Sequence, residues 1–195
     1  MGIPLRVLLI EDSEDDAALL LLELRRGGYK TTHERVDTPA ALHTALDNQK
    51  WDLVISDHSM PHFSGGEALQ LLRQKESEVP FIFVSGTMGE EAAVAALKNG
   101  AQDYLMKSNL KRLVPAVQRE LREAERTASE AVAIGRDTDF WWTGDALVTL
   151  AEVLRISGRP EEALPLVEEA VEIYEGKGAV PPLERAQALL AALTG

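Results

Sequence analysis

Four places along the chain carry residue types that together do one kind of chemistry: the adjacent acids Glu11-Asp12, then Asp57, the hydroxyl of Ser85 and the amine of Lys107. Each follows a short apolar run. Singly, each has an ordinary explanation: acids favour a helix start, an aspartate caps a loop, a serine closes a turn, and a lysine is surface charge. Those explanations do not account for the joint placement. A carboxylate is a weak nucleophile, and an anionic phosphoryl donor repels it. A divalent cation between the two neutralises charge and aligns an in-line displacement. Mg²⁺ takes oxygen ligands and keeps some water, so a small cluster of carboxylates suits it. Lys107 offers a point charge to a phosphoryl oxygen, and Ser85 a hydroxyl hydrogen bond.

The elements that must position these residues follow from the pattern. Leu5–Ile10 reads as a buried strand, Asp15–Arg26 as a helix stopped by Gly27-Gly28, and Lys30–Val36 as a weaker strand. Thr38 and Pro39 open a helix running to Asn48, as N-cap and first helical residue. Then come a strand at Asp52–Ile55, a helix at Gly66–Lys75, a strand at Phe81–Ser85, a helix at Glu90–Lys98 and a short strand at Asp103–Met106. A further helix is expected from near Asn109. Five such alternations in about 120 residues predict an α/β fold, a parallel sheet with helices on both faces. Ligands of such sheets sit at the carboxyl ends of the strands, where strand order reverses. The four chemical positions fall at those ends.

After Leu121 the strands stop, and Ala, Glu, Leu and Arg dominate. The helix from Asn109 meets no breaker before Gly135, although Pro115 could kink its early turns. Helices are expected at Phe140–Ser157, Pro160–Glu175 and Pro182–Leu193, with turns at Gly158-Arg159-Pro160 and Gly176-Lys177-Gly178. Ala124, Ala128 and Ala131 share one helix face, and Ala163, Val167 and Ala170 repeat the pattern. Leu147, Leu150, Ala151 and Leu154 form an apolar face between them. Phe140-Trp141-Trp142 reads as core or hinge packing, with a docking patch as the alternative.

The ordered set resembles the response-regulator receiver family over roughly residues 4–122. It comprises Glu11-Asp12, "SDHSMPHFSGG" with Asp57, Met60-Pro61 and Gly65, "FVSGT" with Ser85-Gly86, and "DYLMK" with Tyr104 and Lys107. The resemblance implies a five-stranded, doubly wound, flavodoxin-like domain. It implies phosphorylation of Asp57, with Mg²⁺ held by Glu11, Asp12, Asp57 and the backbone carbonyl of Ser59. Asp12 is then the more direct ligand, and Glu11 reaches the metal through water. Ser85 and Tyr104 become a switch pair. Two departures stand out: Glu11 replaces the commoner Asp, and Ser108 follows Lys107 where many members have proline, so no cis X-Pro bond exists there. The tail is similar to tetratricopeptide repeats at Leu147, Leu150-Ala151, Leu154, Ala163, Val167 and Ala170, although Glu175 holds the terminal proline position. One full repeat, half a repeat before it and a capping helix are expected. The domains are then 1–123, a receiver, and 124–195, a small all-α helical-hairpin repeat, joined by a continuous helix.

These observations predict a response regulator that controls protein–protein interaction, with no enzyme activity beyond phosphotransfer and dephosphorylation at Asp57. A phosphorelay shuttle is the alternative. A haloacid-dehalogenase-like phosphatase is disfavoured, because the second acid it needs two residues after Asp57 is Ser59. A scaffold with an inactive receiver is disfavoured by the intact Asp12, Asp57, Ser85 and Lys107. The expected partners are a sensor histidine kinase or phosphotransfer protein acting in trans, an output protein, and a second copy of the chain. Net charge is −12: residues 1–125 hold 14 basic and 20 acidic side chains, residues 126–195 hold 6 and 12. Nucleic acid is on that ground not expected as a partner. No segment has membrane-span length, and the absence of cysteine fits a cytoplasmic location. His33, His43, His58 and His62 show no ligand spacing and read as surface or loop residues.

Overall fold

The computed structural model describes residues 2–75, 79–87, 89–138 and 142–194. It divides into two compact units, Met1–Val117 and Gln118–Gly195.

The first unit alternates strand and helix. Its elements are β1 (Ile3–Ile10), α1 (Glu14–Arg26), β2 (Tyr29–Val36), α2 (Pro39–Asn48), β3 (Leu53–Asp57), α3 (Gly65–Gln74), β4 (Phe81–Ser85), α4 (Glu90–Lys98) and β5 (Asp103–Met106). A 3-10 turn at Lys107–Arg112 leads into α5 (Leu113–Thr138). The five strands are parallel in the order β2-β1-β3-β4-β5. Strand order reverses between β1 and β3, which places the crevice of the fold beside the ends of those two strands.

Local chemistry sets the helix starts. Ser13 caps α1, its hydroxyl accepting from Asp16 N at 3.3 Å. Thr38 caps α2, with Pro39 at its first position. Ser64 and Glu67 form a reciprocal capping box at α3. The central strands β1, β3 and β4 are apolar on both faces, as burial from two sides requires, whereas the edge strand β2 is mostly polar and partly exposed. Leu8, Ile10, Val54, Phe81 and Phe83 pack with Leu42, Ala45, Ala68, Leu72 and Ala96 of α2, α3 and α4. Val7, Leu9, Ile55, Val84 and Leu105 alternate with them and are buried as well, as are Leu20 and Leu24 of α1 and Leu113 and Val117 of α5.

Several boundaries differ from the sequence expectation. β3 runs to Asp57 rather than stopping at Ile55, because His58 N donates to Val84 O at 3.2 Å and keeps the strand end tied to β4. α5 continues through Gly135 to Thr138, and α7 (Pro160–Lys177) continues through Gly176. Glycine costs a helix only about 1 kcal/mol, which packing offsets. At Gly135 the packing is specific: a Cβ there would lie 2.8 Å from Thr143 Oγ1. The break comes at Gly178, whose φ of 63° is left-handed.

The second unit is all-helical: the later turns of α5, α6 (Thr143–Ile156), α7 and α8 (Val180–Thr194). Its core joins Ala128 and Val132 of α5, Leu147, Leu150, Ala151 and Leu154 of α6, Ala163, Val167, Ala170 and Tyr174 of α7, and Ala186 and Leu189 of α8. Gly144 lets α6 approach the Tyr174 ring, where a Cβ would sit 2.7 Å from ring carbons. The Tyr174 hydroxyl donates to Asp145 Oδ1 at 2.8 Å. Burial and that neighbouring carboxylate both push the phenol well above its ordinary range. Of the expected aromatic trio, Trp142 packs half-buried against this core. Phe140 and Trp141 lie outside the described residues. Among the described residues no helix is long and apolar enough to cross a membrane.

Candidate functional site

The carboxyl ends of the strands bring the chemical residues together. Glu11 and Asp12 follow β1, Asp57 ends β3, Ser85 ends β4, and Lys107 follows β5. One carboxylate oxygen each from Glu11, Asp12 and Asp57 lies within 4.8 Å of the others. Octahedral Mg²⁺ with bonds of about 2.1 Å spaces its ligand oxygens roughly 3–4 Å apart. The three acids therefore fit such a cation after small side-chain movements. Glu11 is almost wholly buried and Asp57 is 8% exposed, whereas Asp12 is open to solvent. Among the described residues the Asp12 carboxylate makes no hydrogen bond, so its oxygens are available to a ligand.

Lys107 sits at the centre of the charge balance. Its Nζ donates to Glu11 Oε2 at 2.9 Å, Asp57 Oδ2 at 2.7 Å and Asp16 Oδ2 at 2.5 Å. Burial alone would ease its proton off. The three carboxylates outweigh burial and hold the ammonium above the usual lysine range. Glu11 is shifted upward, chiefly by burial, against the opposing pull of Lys107 and of the Ser13 N–H. Ser13 N donates to Glu11 Oε1 at 3.1 Å, so both Glu11 oxygens are engaged.

The loop after β3 fixes Asp57. Ser59 N donates to Asp57 Oδ1 at 2.9 Å, leaving Oδ2 to Lys107. Buried Met60 and Phe63 anchor the loop in the core. Gly65 closes it, its N–H donating to His58 O at 3.3 Å. A Cβ at Gly65 would lie 2.3 Å from Asp57 O, 2.6 Å from Phe83 Cε1 and 2.8 Å from Ser56 Oγ. Glycine is therefore required on steric grounds.

Ser85 is buried, and its hydroxyl is turned to its own loop. It donates to Thr87 O at 3.1 Å and accepts from Thr87 N at 3.3 Å. Tyr104 is half-buried, its ring 5.6 Å from His58 and 6.1 Å from Phe83. There is no cis peptide bond among the described residues, and Lys107 reaches the acids with Ser108 behind it.

Three contributors escaped the sequence reading. Asp16 reaches Lys107 from the first turn of α1, where the sequence does not set it apart from the neighbouring acids Glu14 and Asp15. Arg35, at the end of β2, donates to Glu11 O at 2.9 Å and Asp12 O at 3.3 Å and pairs with Glu14 at 3.3 Å. It holds the backbone of the acid pair. His58 packs edge-on against Phe83 and Tyr104, while His33, His43 and His62 are exposed.

A parallel five-stranded sheet with acids and a lysine gathered at its switch point defines a receiver, and the comparisons agree. Residues 7–118 match the response regulator receiver domain. The chain belongs to that family. It is 34% identical over 134 residues to the transcriptional regulatory protein PrrA of Mycobacterium tuberculosis, covering 67% of this chain and 57% of PrrA. It is 33% identical over 131 residues to the DNA-binding response regulator MtrA of Mycolicibacterium smegmatis, covering 67% of this chain and 56% of MtrA. The chain thus spans little more than half the length of these relatives. The solved N-terminal domain of a response regulator/sensory box/GGDEF three-domain protein from Carboxydothermus hydrogenoformans is 25% identical. It superposes with a TM-score of 0.53 over 63% of this chain and 98% of that one.

The relatives' names overturn the expectation that nucleic acid is no partner. That expectation rested on charge summed over long segments. Such sums do not describe a local surface, and they carry no information about what a regulator acts on.

Proposed function

We propose that the chain is a two-component response regulator that accepts a phosphoryl group on Asp57, with Mg²⁺ held by Glu11, Asp12, Asp57 and the Ser59 carbonyl. The observation that carries this reading is the convergence of three carboxylates and the Lys107 ammonium at the strand ends. A bound Mg²⁺ supplies charge neutralisation between nucleophile and donor. An Asp57 oxygen attacks phosphorus, forming an acyl-phosphate bond as the bond to the donor's leaving group breaks. Lys107 then donates to a phosphoryl oxygen. Ser85 does likewise by exchanging its bond to Thr87 O for one to the phosphoryl group, and Tyr104, packed on the same side, follows. Hydrolysis of the acyl phosphate resets the site, and the chain has no further enzyme activity in this reading. The donor is a histidine kinase or phosphotransfer protein in the cytoplasm.

The helical unit is proposed to pack as tetratricopeptide hairpins do, with small residues at the contacts. The wholly buried Ala163, Val167 and Ala170 on α7 and the close approach at Gly144 support this. Output is then a change in protein binding or self-association. The relatives named as transcriptional regulators favour a second form of that output, in which it acts on transcription. Sedimentation and affinity capture with Mg²⁺, with and without the phosphoryl mimic beryllofluoride, test the proposal. A changed mass or a changed set of bound protein or DNA is expected. An unchanged mass with an unchanged set contradicts it.

A further inference from the structure

Asp16 occupies the third helical position of α1, where a capping-box acid would turn back to the N-cap N–H. Here the Ser13 N–H is already taken by Glu11 Oε1 at 3.1 Å, while Ser13 Oγ accepts from Asp16 N at 3.3 Å. The Asp16 carboxylate is therefore released from the usual local task. It reaches across 91 residues of sequence to Lys107 at 2.5 Å.

An ammonium has three N–H donors. On Lys107 three carboxylates take them: Glu11, Asp57 and Asp16. Two of these also belong to the acid cluster that would hold a cation, and Asp16 does not. A cation entering the cluster competes with Lys107 for oxygens of Glu11 and Asp57. It does not compete for Asp16.

We propose that Asp16 is a positioning residue: it gives Lys107 a carboxylate outside the metal cluster, so that a bound cation and a correctly placed ammonium coexist beside Asp57. The proposal rests on the reading that the cluster binds Mg²⁺. Without Asp16, the ammonium's remaining carboxylate partners are the cluster's own, and Mg²⁺ must displace it. Asp16 touches no reacting atom and acts only through Lys107.

Calorimetric Mg²⁺ titration of the full chain tests this, comparing wild type, Asp16→Asn, Lys107→Met and the double variant. Asp15→Asn serves as the control for an acid lost from the same helical turn. Asp16→Asn is expected to weaken Mg²⁺ binding about tenfold, the factor for one charge-assisted hydrogen bond of about 1.4 kcal/mol. Asp15→Asn should change it by less than about threefold, as for exposed charges. Asp16→Glu, which keeps the charge, should stay within about threefold of wild type. With Lys107 already replaced by Met, adding Asp16→Asn should change the affinity by less than about twofold, since the acid no longer has a lysine to hold. Equal weakening by Asp16→Asn with and without Lys107 overturns the proposal, and so does an Asp16→Asn affinity equal to wild type. If Lys107→Met does not fold, the comparison among Asp16→Asn, Asp15→Asn and Asp16→Glu decides alone. Absence of Mg²⁺ binding to wild type would overturn the metal reading together with this one. Failure of the cycle alone leaves the metal reading standing.

Discussion

Lys107→Met is expected to slow phosphoryl incorporation about a hundredfold or more, while Mg²⁺ affinity holds or tightens. The first half follows from charge. A preorganised donor aimed at charge that develops in the transition state is worth about 10²–10³ in rate. Lys107, 2.7 Å from Asp57 Oδ2, is the ammonium bonded to the nucleophile. The second half follows from competition. Lys107 occupies oxygens of Glu11 and Asp57 that a cation would use, so its removal frees them. A residue with a merely structural role would lower rate and affinity together. The rate is read from intact mass against time with a small-molecule phosphodonor, and the affinity from calorimetry. A rate within threefold of wild type would show that Lys107 does not act on the transferring group.

The second large effect is on stability. Gly65→Ala is expected to cost about 1–3 kcal/mol or more, the range for forcing extra atoms into a packed interior. The added Cβ meets the Asp57 carbonyl oxygen, the Phe83 ring and the Ser56 hydroxyl at once. The first of these is backbone at the site itself, so relief requires moving the residue that carries the nucleophile. Gly66→Ala is the control one residue later, where the nearest atom is Ser64 Oγ at 3.9 Å. Urea unfolding should show a lower midpoint for Gly65→Ala and little change for Gly66→Ala. Equal midpoints would mean that the loop relaxes more easily than its packing implies.

The sequence made the elements readable because their limits are local. Thr38-Pro39 starts a helix, Gly27-Gly28 stops one, and the short apolar runs β1 and β4 suit a sheet covered on both sides. The placement of the candidate residues was readable for a related reason: strand ends are local features, and each of these residues lies at one. What was hidden depends on neighbours. Arg35 supports the acid pair only because β2 lies beside β1, and strand order is not written in either segment. By sequence Asp16 is one more acid at a helix start, and its freedom to reach Lys107 depends on Glu11, which holds the cap N–H. His58 reads as a loop residue, and the loop packs its ring edge-on against both Phe83 and Tyr104. In the helical unit the spacing of Ala163, Val167 and Ala170 gave the buried face correctly, since helical periodicity is local. It did not give the length of α7, because a glycine stops a helix only where the backbone turns left-handed, which happens at Gly178 and not at Gly176.

The most direct test of phosphoacceptance at Asp57 is intact mass spectrometry of wild type and Asp57→Asn after incubation with a small-molecule phosphodonor and Mg²⁺. One added phosphoryl group is expected on wild type, lost when the metal is chelated before donor addition, and none on Asp57→Asn. An equal mass gain in Asp57→Asn would contradict it, because the phosphoryl group would then reside elsewhere on the chain.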